Sequence, residues 1–322
     1  MDNPLFSSYV VPRPVRTVLG NVTYLDLGIT DGHTHVWIEP IPNTDALSPV
    51  LNKFDQIVEE LKSYYSSGGR TLLDCQPGGC GRNGNRLIQL SERSNVNIVA
   101  CTGFHRVKYY TPDYWLFKAE AQRVADHFIK ELTESLDETD GQPKTATAGF
   151  IKVALEVEWE STPLTTLKGA AIAAYKSGAM VEIHTEKGAQ AEKIVPFFEK
   201  YFVAPNQLVI CHMDKRADFK LHSELVRQGV LLEYDTFYRP KYQPELNLWL
   251  MIRKMMEAGF EKSMVLATDL AESAMYKKIG GGPGLESFPG EIKIRLTELG
   301  FSASAIQQML GGNIARRLAG LI

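Results

Sequence analysis

A (β/α)8 TIM barrel is the fold class this sequence predicts, on three observations. Eight short β-rich runs recur along the chain, amphipathic stretches lie between them, and most runs are near-continuously apolar. Strands buried on both faces of a parallel sheet have that composition. An open doubly wound sheet usually announces itself by GxGxxG after its first strand, and none stands there.

Residues 1–26 carry Pro12, Pro14 and β-branched side chains and read as an N-terminal arm or hairpin. The expected strands are 28–36, 71–76, 97–102, 149–154, 180–184, 208–212, 230–235 and 264–269. The expected helical stretches are 54–65, 113–136, 165–177, 189–201, 218–228 and 245–258. Two short helical pieces, 304–310 and 313–318, follow near the end, parted by Gly311-Gly312. Glycine-rich runs at 77–84 and 280–284 fall after strands and lack Walker A spacing, so they read as turns. Although 322 residues suffice for two average domains, a barrel of this length is ordinarily one, and a single domain over 1–322 is expected.

Bulk properties exclude several classes. A net charge of -3 and a pI near 6.2 argue against a nucleic-acid partner or a polybasic membrane contact. No run of 18 apolar residues exists, and the start, Met1-Asp2-Asn3-Pro4, lacks a basic and an apolar region, so neither signal peptide nor membrane span is expected. Cys75, Cys80, Cys101 and Cys211 show no CxxC spacing and no surrounding Cys/His cluster. They read as reduced packing thiols in a cytoplasmic protein.

The chemistry is at the strand ends. In an extended strand His33 and His35 share one face, about 7 Å apart, and two neutral imidazoles so placed can hold a metal. Lys152, His184, His212 and Asp269 end later strands, and the C-terminal strand ends of a barrel converge on one face. Each has a bland reading alone: a hydrogen-bonded packing histidine, or an aspartate capping the next helix. Lys152 resists one, because an unpaired buried ammonium is costly; Glu156, Glu158 or a Schiff-base role are its alternatives. Together, four histidines, one aspartate and one lysine favour a metal hydrolase.

That pattern resembles the amidohydrolase superfamily. More narrowly, Val15–Gly20, Gly81-Arg82-Asn83, Ala100–Gly103, Gly149–Lys152, His184-Thr185, His212-x-Asp214 and Asn313-x-Ala315-Arg316 resemble, in order, the phosphotriesterase family and its lactonases. The resemblance spans about residues 15 to 320. It implies two divalent ions, zinc by preference: one on His33, His35 and Asp269, the other on His184 and His212, bridged by Lys152 carboxylated on its amine. It further implies a metal-bridging hydroxide as nucleophile, with Asp269 taking the proton. Two positions depart from the family. Cys211 stands where glycine is usual, and strand alternation is expected to turn it toward the helices. Glu182 shares the parity of His184 and is expected inside the barrel, orienting a ligand histidine or pairing with a buried base.

Three strand-end loops carry Arg, Lys and Tyr, from which Tyr109, Arg239, Lys241, Tyr242 and Tyr276 are expected to bind substrate. Their coincidence at one mouth suggests a small anionic molecule, such as a phosphorylated or carboxylated sugar lactone. Against this, the sugar-lactone phosphate branch tends to carry Arg and Tyr soon after the last strand's aspartate, where Glu272 and Met275 stand here. An organophosphate triester hydrolase is the alternative, followed by a Schiff-base aldolase on Lys152 and a non-catalytic barrel. The family's frequent homodimers extend the resemblance to a homodimer here.

Overall fold

The structure is a computed structural model describing residues 11–42, 44 and 48–321; the first ten residues of the expected arm lie outside it. Eight parallel strands run in chain order: β3 (Ile29–Thr34), β4 (Gly69–Asp74), β5 (Asn97–Gly103), β6 (Phe150–Ala154), β7 (Val181–His184), β8 (Leu208–Ile210), β9 (Leu231–Tyr234) and β10 (Met264–Leu266). The ring closes just beyond β10. The Asp269 N–H donates to the His33 carbonyl (2.8 Å), and Thr268 donates through its N–H (3.0 Å) and hydroxyl (2.6 Å) to the Asp31 carboxylate. The eight expected strands all form, within a residue or two at most ends.

Before the barrel, β1 (Val15–Thr17) and β2 (Gly20–Val22) make an antiparallel hairpin, the form expected of the arm. Val15, Leu27, Ile314 and Leu318 join Leu73, Val99, Phe150, Val209, Leu231 and Val265 in one apolar cluster that fills the barrel's lower interior. Alternation puts every second strand residue there, and the intervening ones, such as Leu72, Ile98, Ile151 and Ile210, pack outward under the helices. Continuing the inward parity upward leads from Phe150 to Lys152, from Leu231 to Glu233, and from Val265 to Asp269. The apolar plug is therefore the base on which the polar residues stand.

The helices α1 (Phe54–Ser66), α2 (Gly84–Ser94), α3 (Ala121–Thr133), α4 (Leu164–Ser177), α5 (Ala191–Glu199), α6 (Phe219–Arg227), α7 (Leu248–Glu257), α8 (Lys293–Glu298), α9 (Ala303–Gln307) and α10 (Asn313–Leu318) alternate with and follow the strands. Sequence reading missed α2, hidden by the glycine run before it. Asn83 caps it, accepting the Arg86 N–H at 3.1 Å, and Asn95 ends it in the left-handed region. The short α8 was missed as well. The stretch expected as one helix over 113–136 forms α3 only from Ala121, after an isolated turn at Trp115–Phe117. No helix among the described residues is long and apolar enough to cross a membrane.

Arg82 ties the glycine-rich loop to the barrel wall. Its fully buried guanidinium donates to the Cys101 carbonyl (2.6 Å), to Glu131 on α3 (3.1 Å) and to Glu138 (3.1 Å). Burial alone would raise the Glu131 carboxyl, but Arg82, His127 and the Thr102 hydroxyl hold it below its ordinary value. The stabilisation is therefore complete above an unfolded carboxylate's pKa of about 4.3 and is lost as pH falls through the lower folded value. Replacing Arg82 by Met should cost about 3–5 kcal/mol in urea unfolding at pH 7, because Glu131 keeps a buried, unpaired charge. That penalty should shrink on acidification as Glu131 takes up a proton. A loss that does not change with pH would contradict the pairing.

Candidate metal centre and substrate cavity

His33 and His35 stand at the end of β3, His184 at the end of β7, His212 after β8 and Asp269 after β10, all on the face where the strands end. Ring centroids lie 5.6 Å apart for His33 and His35, 5.0 Å for His33 and His212, and 4.6 Å for His184 and His212. Simple alternation places most of them. His212 is an exception: its parity points outward, and it reaches the site because its backbone turns left-handed (φ 64°). The same geometry corrects the expectation for Cys211. With Val209 facing inward, Cys211 does too, and its thiol meets Glu182 Oε1 at 3.5 Å inside the barrel.

Each imidazole is oriented from behind. His35 Nδ1 donates to Gln76 Oε1 (2.7 Å), and the Gln76 amide is itself fixed by donating to the Cys80 carbonyl. His33 Nδ1 donates to Glu233 Oε1 (2.9 Å) and lies 3.1 Å from Glu182 Oε1. With those nitrogens committed, His33 Nε2 and His35 Nε2 face Asp269 Oδ1 at 3.8 and 3.9 Å. Across the mouth, His184 Nε2 donates to Glu186 (3.0 Å) and His212 Nδ1 to Asp235. That leaves His184 Nδ1 and His212 Nε2 directed at each other, 2.8 Å apart. Two bare lone pairs at that separation repel unless a proton or a cation lies between them. Burial lowers His35 to about 3 and His184 to about 4, so both are neutral at neutral pH, as ligands must be.

The donor set therefore fits divalent cations. One potential donor atom each from His33, His35 and Asp269 lie within 4.8 Å of one another, as do those of His212, Asp235 and Asp269. Nitrogen and carboxylate ligands whose far sides are hydrogen-bonded to carboxylates and an amide are the arrangement that orients imidazoles on zinc-like ions.

Below the imidazoles lies a charged layer that sequence reading saw only in part. Lys152 is fully buried, its ammonium 3.0 Å from Glu182 Oε1 and 3.0 Å from His33 Nε2. Its partner is thus Glu182 and neither Glu156 nor Glu158: Glu156 accepts from Arg106 (2.8 Å), and Glu158 is exposed. Glu182 both pairs with a buried base and supports a histidine. Burial and Lys152 would lower His33, but Glu233 and Glu182 raise it to about 10, so this ring holds a proton on each nitrogen at neutral pH and the one on Nε2 must leave before that atom can serve a cation. Glu233 and Asp235 were missed, although acidic residues at alternate positions of an apolar strand were a readable signal.

Asp269 takes a left-handed backbone (φ 47°). Its Oδ2 accepts from Arg239 Nη2 (3.1 Å) and lies 3.8 Å from Lys215 Nζ. Burial would raise its carboxyl, yet Arg239, His212, Lys215 and His33 hold it well below the usual carboxylate range. The guanidinium of Arg239 also donates to the Asp269 carbonyl, so this arginine is largely committed to Asp269.

Above the strand ends opens a cavity of about 540 Å³ with His33, His35, His184 and Asp269 at its bottom. Tyr109, Arg239, Lys241 and Tyr242 line it, joined by His105, Arg106 and Lys108 from the same loop as Tyr109 and by Lys215, which sequence reading did not single out. Tyr276 is placed elsewhere. It is fully buried, and its hydroxyl donates to the His35 carbonyl, because the chain after Asp269 folds back under its own loop. It braces the strand-end face from behind and does not line the cavity.

Comparison with known proteins agrees with this architecture. A "phospho-furanose lactonase" of Mycoplasmopsis synoviae is 25% identical over 94% of this chain and 91% of its own. The phosphotriesterase homology protein of Escherichia coli is 21% identical over 89% and 96%. Among solved structures, an amidohydrolase from Mycoplasma synoviae superposes with a TM-score of 0.88 at 25% identity, covering 96% of this chain and 92% of that one. A lactonase from Listeria monocytogenes gives 0.87 at 23%, covering 95% and 98%. The model of the phosphotriesterase family matches residues 13–318, and the chain belongs to that family.

Proposed function

We propose that this protein is a binuclear metal-dependent lactonase. The observation that carries this reading is the convergence of four imidazoles and Asp269 at the strand ends, with the far nitrogen of each ring tied back by Glu233, Gln76, Glu186 or Asp235. His33, His35 and Asp269 would hold one ion and His184 and His212 the other. Lys152, carboxylated on Nζ, would serve both. When bound, two divalent ions, zinc by preference, bring a water's pKa toward neutrality and polarise the carbonyl of an ester-type bond. Asp269, kept ionised by Arg239 and Lys215, accepts the proton that water gives up. The curated relatives named as lactonases support the reaction class.

The substrate class follows from which cations are uncommitted. Arg239 is occupied by Asp269, and Arg106 by Glu156 and Glu186. Among the described residues Lys108 and Lys241 rest only over the rings of Tyr109 and Tyr242, at 4.8 and 5.1 Å, and so remain able to meet an anion. A small lactone carrying a phosphate or carboxylate suits that edge, with Lys241 and Lys108 rather than Arg239 as its partners. Four free, buried cysteines suit a reducing, cytoplasmic setting.

Two experiments test these assignments. Metal analysis of the purified protein should give about two equivalents of divalent ion, and the Lys152→Ala variant should lose the pair together with lactonase activity. Full metal content in that variant would refute the bridging role. Kinetics on a γ-lactone with and without a 5-phosphate should separate the two basic residues. Lys241→Ala should weaken only the phosphorylated substrate, by roughly tenfold to a hundredfold in kcat/KM for one lost charged contact. Arg239→Ala should depress both substrates alike, since it acts through Asp269. Equal losses for Lys241→Ala on both substrates would remove the anion assignment.

A further inference from the structure

Beside His33, His35 and His184 the cavity is lined by a further imidazole, that of His105, just past the end of β5. Gly103, two residues earlier, adopts φ 119°, and a Cβ there would lie 1.8 Å from the Lys152 carbonyl oxygen. Only glycine lets the chain pass this close to β6 before turning over the strand ends. The His105 N–H then donates to the buried Tyr110 hydroxyl (2.9 Å). Its ring lies 5.1 Å from that of His184, 6.5 Å from that of His35 and 4.7 Å from that of Tyr109.

The hydrogen bonding of His105 separates it from the other four. The backbone N–H of Arg106 donates to His105 Nδ1 at 2.7 Å, so Nδ1 is an acceptor and the neutral ring carries its proton on Nε2. Nε2 has no hydrogen-bond partner among the described residues. It therefore presents a donor N–H at the cavity wall and no lone pair for an ion.

We propose that His105 is a catalytic residue whose Nε2–H donates a hydrogen bond to the substrate's carbonyl oxygen as negative charge builds there. The proposal rests on the lactonase reading above. Water adds to the carbonyl carbon, and the π pair of the C=O bond moves onto oxygen. Its return breaks the ring C–O bond, and the proton that Asp269 took from water ends on the released hydroxyl. His105 keeps its own proton throughout and stabilises the charged oxygen, which a fixed donor does without reorganising. Both its ring and its backbone are already pinned, by Arg106 and Tyr110, so little orientational entropy is lost when substrate arrives.

The test compares His105→Phe and His105→Gln with the metal-loaded wild type on γ-butyrolactone, measuring kcat, KM and bound metal. Phe keeps the ring's bulk without a donor, and kcat should fall about 10²-fold with KM little changed and metal content intact. Gln restores an N–H donor and should recover much of that loss. Three results would overturn the proposal: a His105→Phe variant with wild-type kcat, a loss of metal in that variant (making His105 a ligand), or no recovery with Gln. Failure of the lactonase reading would be distinct, since wild-type protein would then lack either metal or lactone hydrolysis.

Discussion

Everything at the strand ends depends on one constraint: an imidazole can offer a lone pair to the centre only if its other nitrogen has somewhere to leave a proton. The barrel meets that demand from adjacent or facing strands and, for His184, from the loop that follows its own strand. Glu233 serves His33, Gln76 serves His35, Asp235 serves His212, and Glu186 serves His184. Three of these four partners are carboxylates, which raise the donor strength of the rings they hold. Fixing the tautomers therefore fixes both the direction of four lone pairs and the negative field that a pair of cations would neutralise.

Beneath them, burial makes the charge arrangement costly in any unpaired state. Lys152, Glu182 and Glu233 are fully buried, and the second oxygens of both glutamates lack a hydrogen-bond partner among the described residues. Such groups persist only where the surrounding fold over-determines them. Here the apolar plug of Val99, Phe150, Val209 and Val265 supplies the rigidity below, and the Asp31–Thr268 contact closes the ring beside them. The loops above are a separate layer. They contribute Lys108, Lys241 and His105 to the cavity lining.

Legibility in the sequence followed these layers. His33, His35, Lys152, His184 and Asp269 could be read because two-residue alternation carries apolar inward positions directly to them. His212 was found at a strand end, but its neighbour Cys211 was assigned to the wrong face because no sequence signal marks the left-handed turn at residue 212. Arg239 reads as a substrate-binding cation until Asp269 folds against it, and Tyr276 as a cavity residue until its hydroxyl reaches the His35 carbonyl. Pairings between distant loops leave no periodic trace. The helix α2 was hidden for a local reason: the glycines that precede it advertise a turn more strongly than Asn83 advertises a cap.

The central claim is that these imidazoles and Asp269 are arranged for two cations side by side at the strand ends. Anomalous diffraction at the zinc edge from crystals grown with zinc tests it most directly. The account predicts two peaks, one against His33, His35 and Asp269 and one against His184 and His212, with continuous density from Lys152 reaching both. A single peak, or a peak seated lower among Glu182, Cys211 and Glu233, would contradict it.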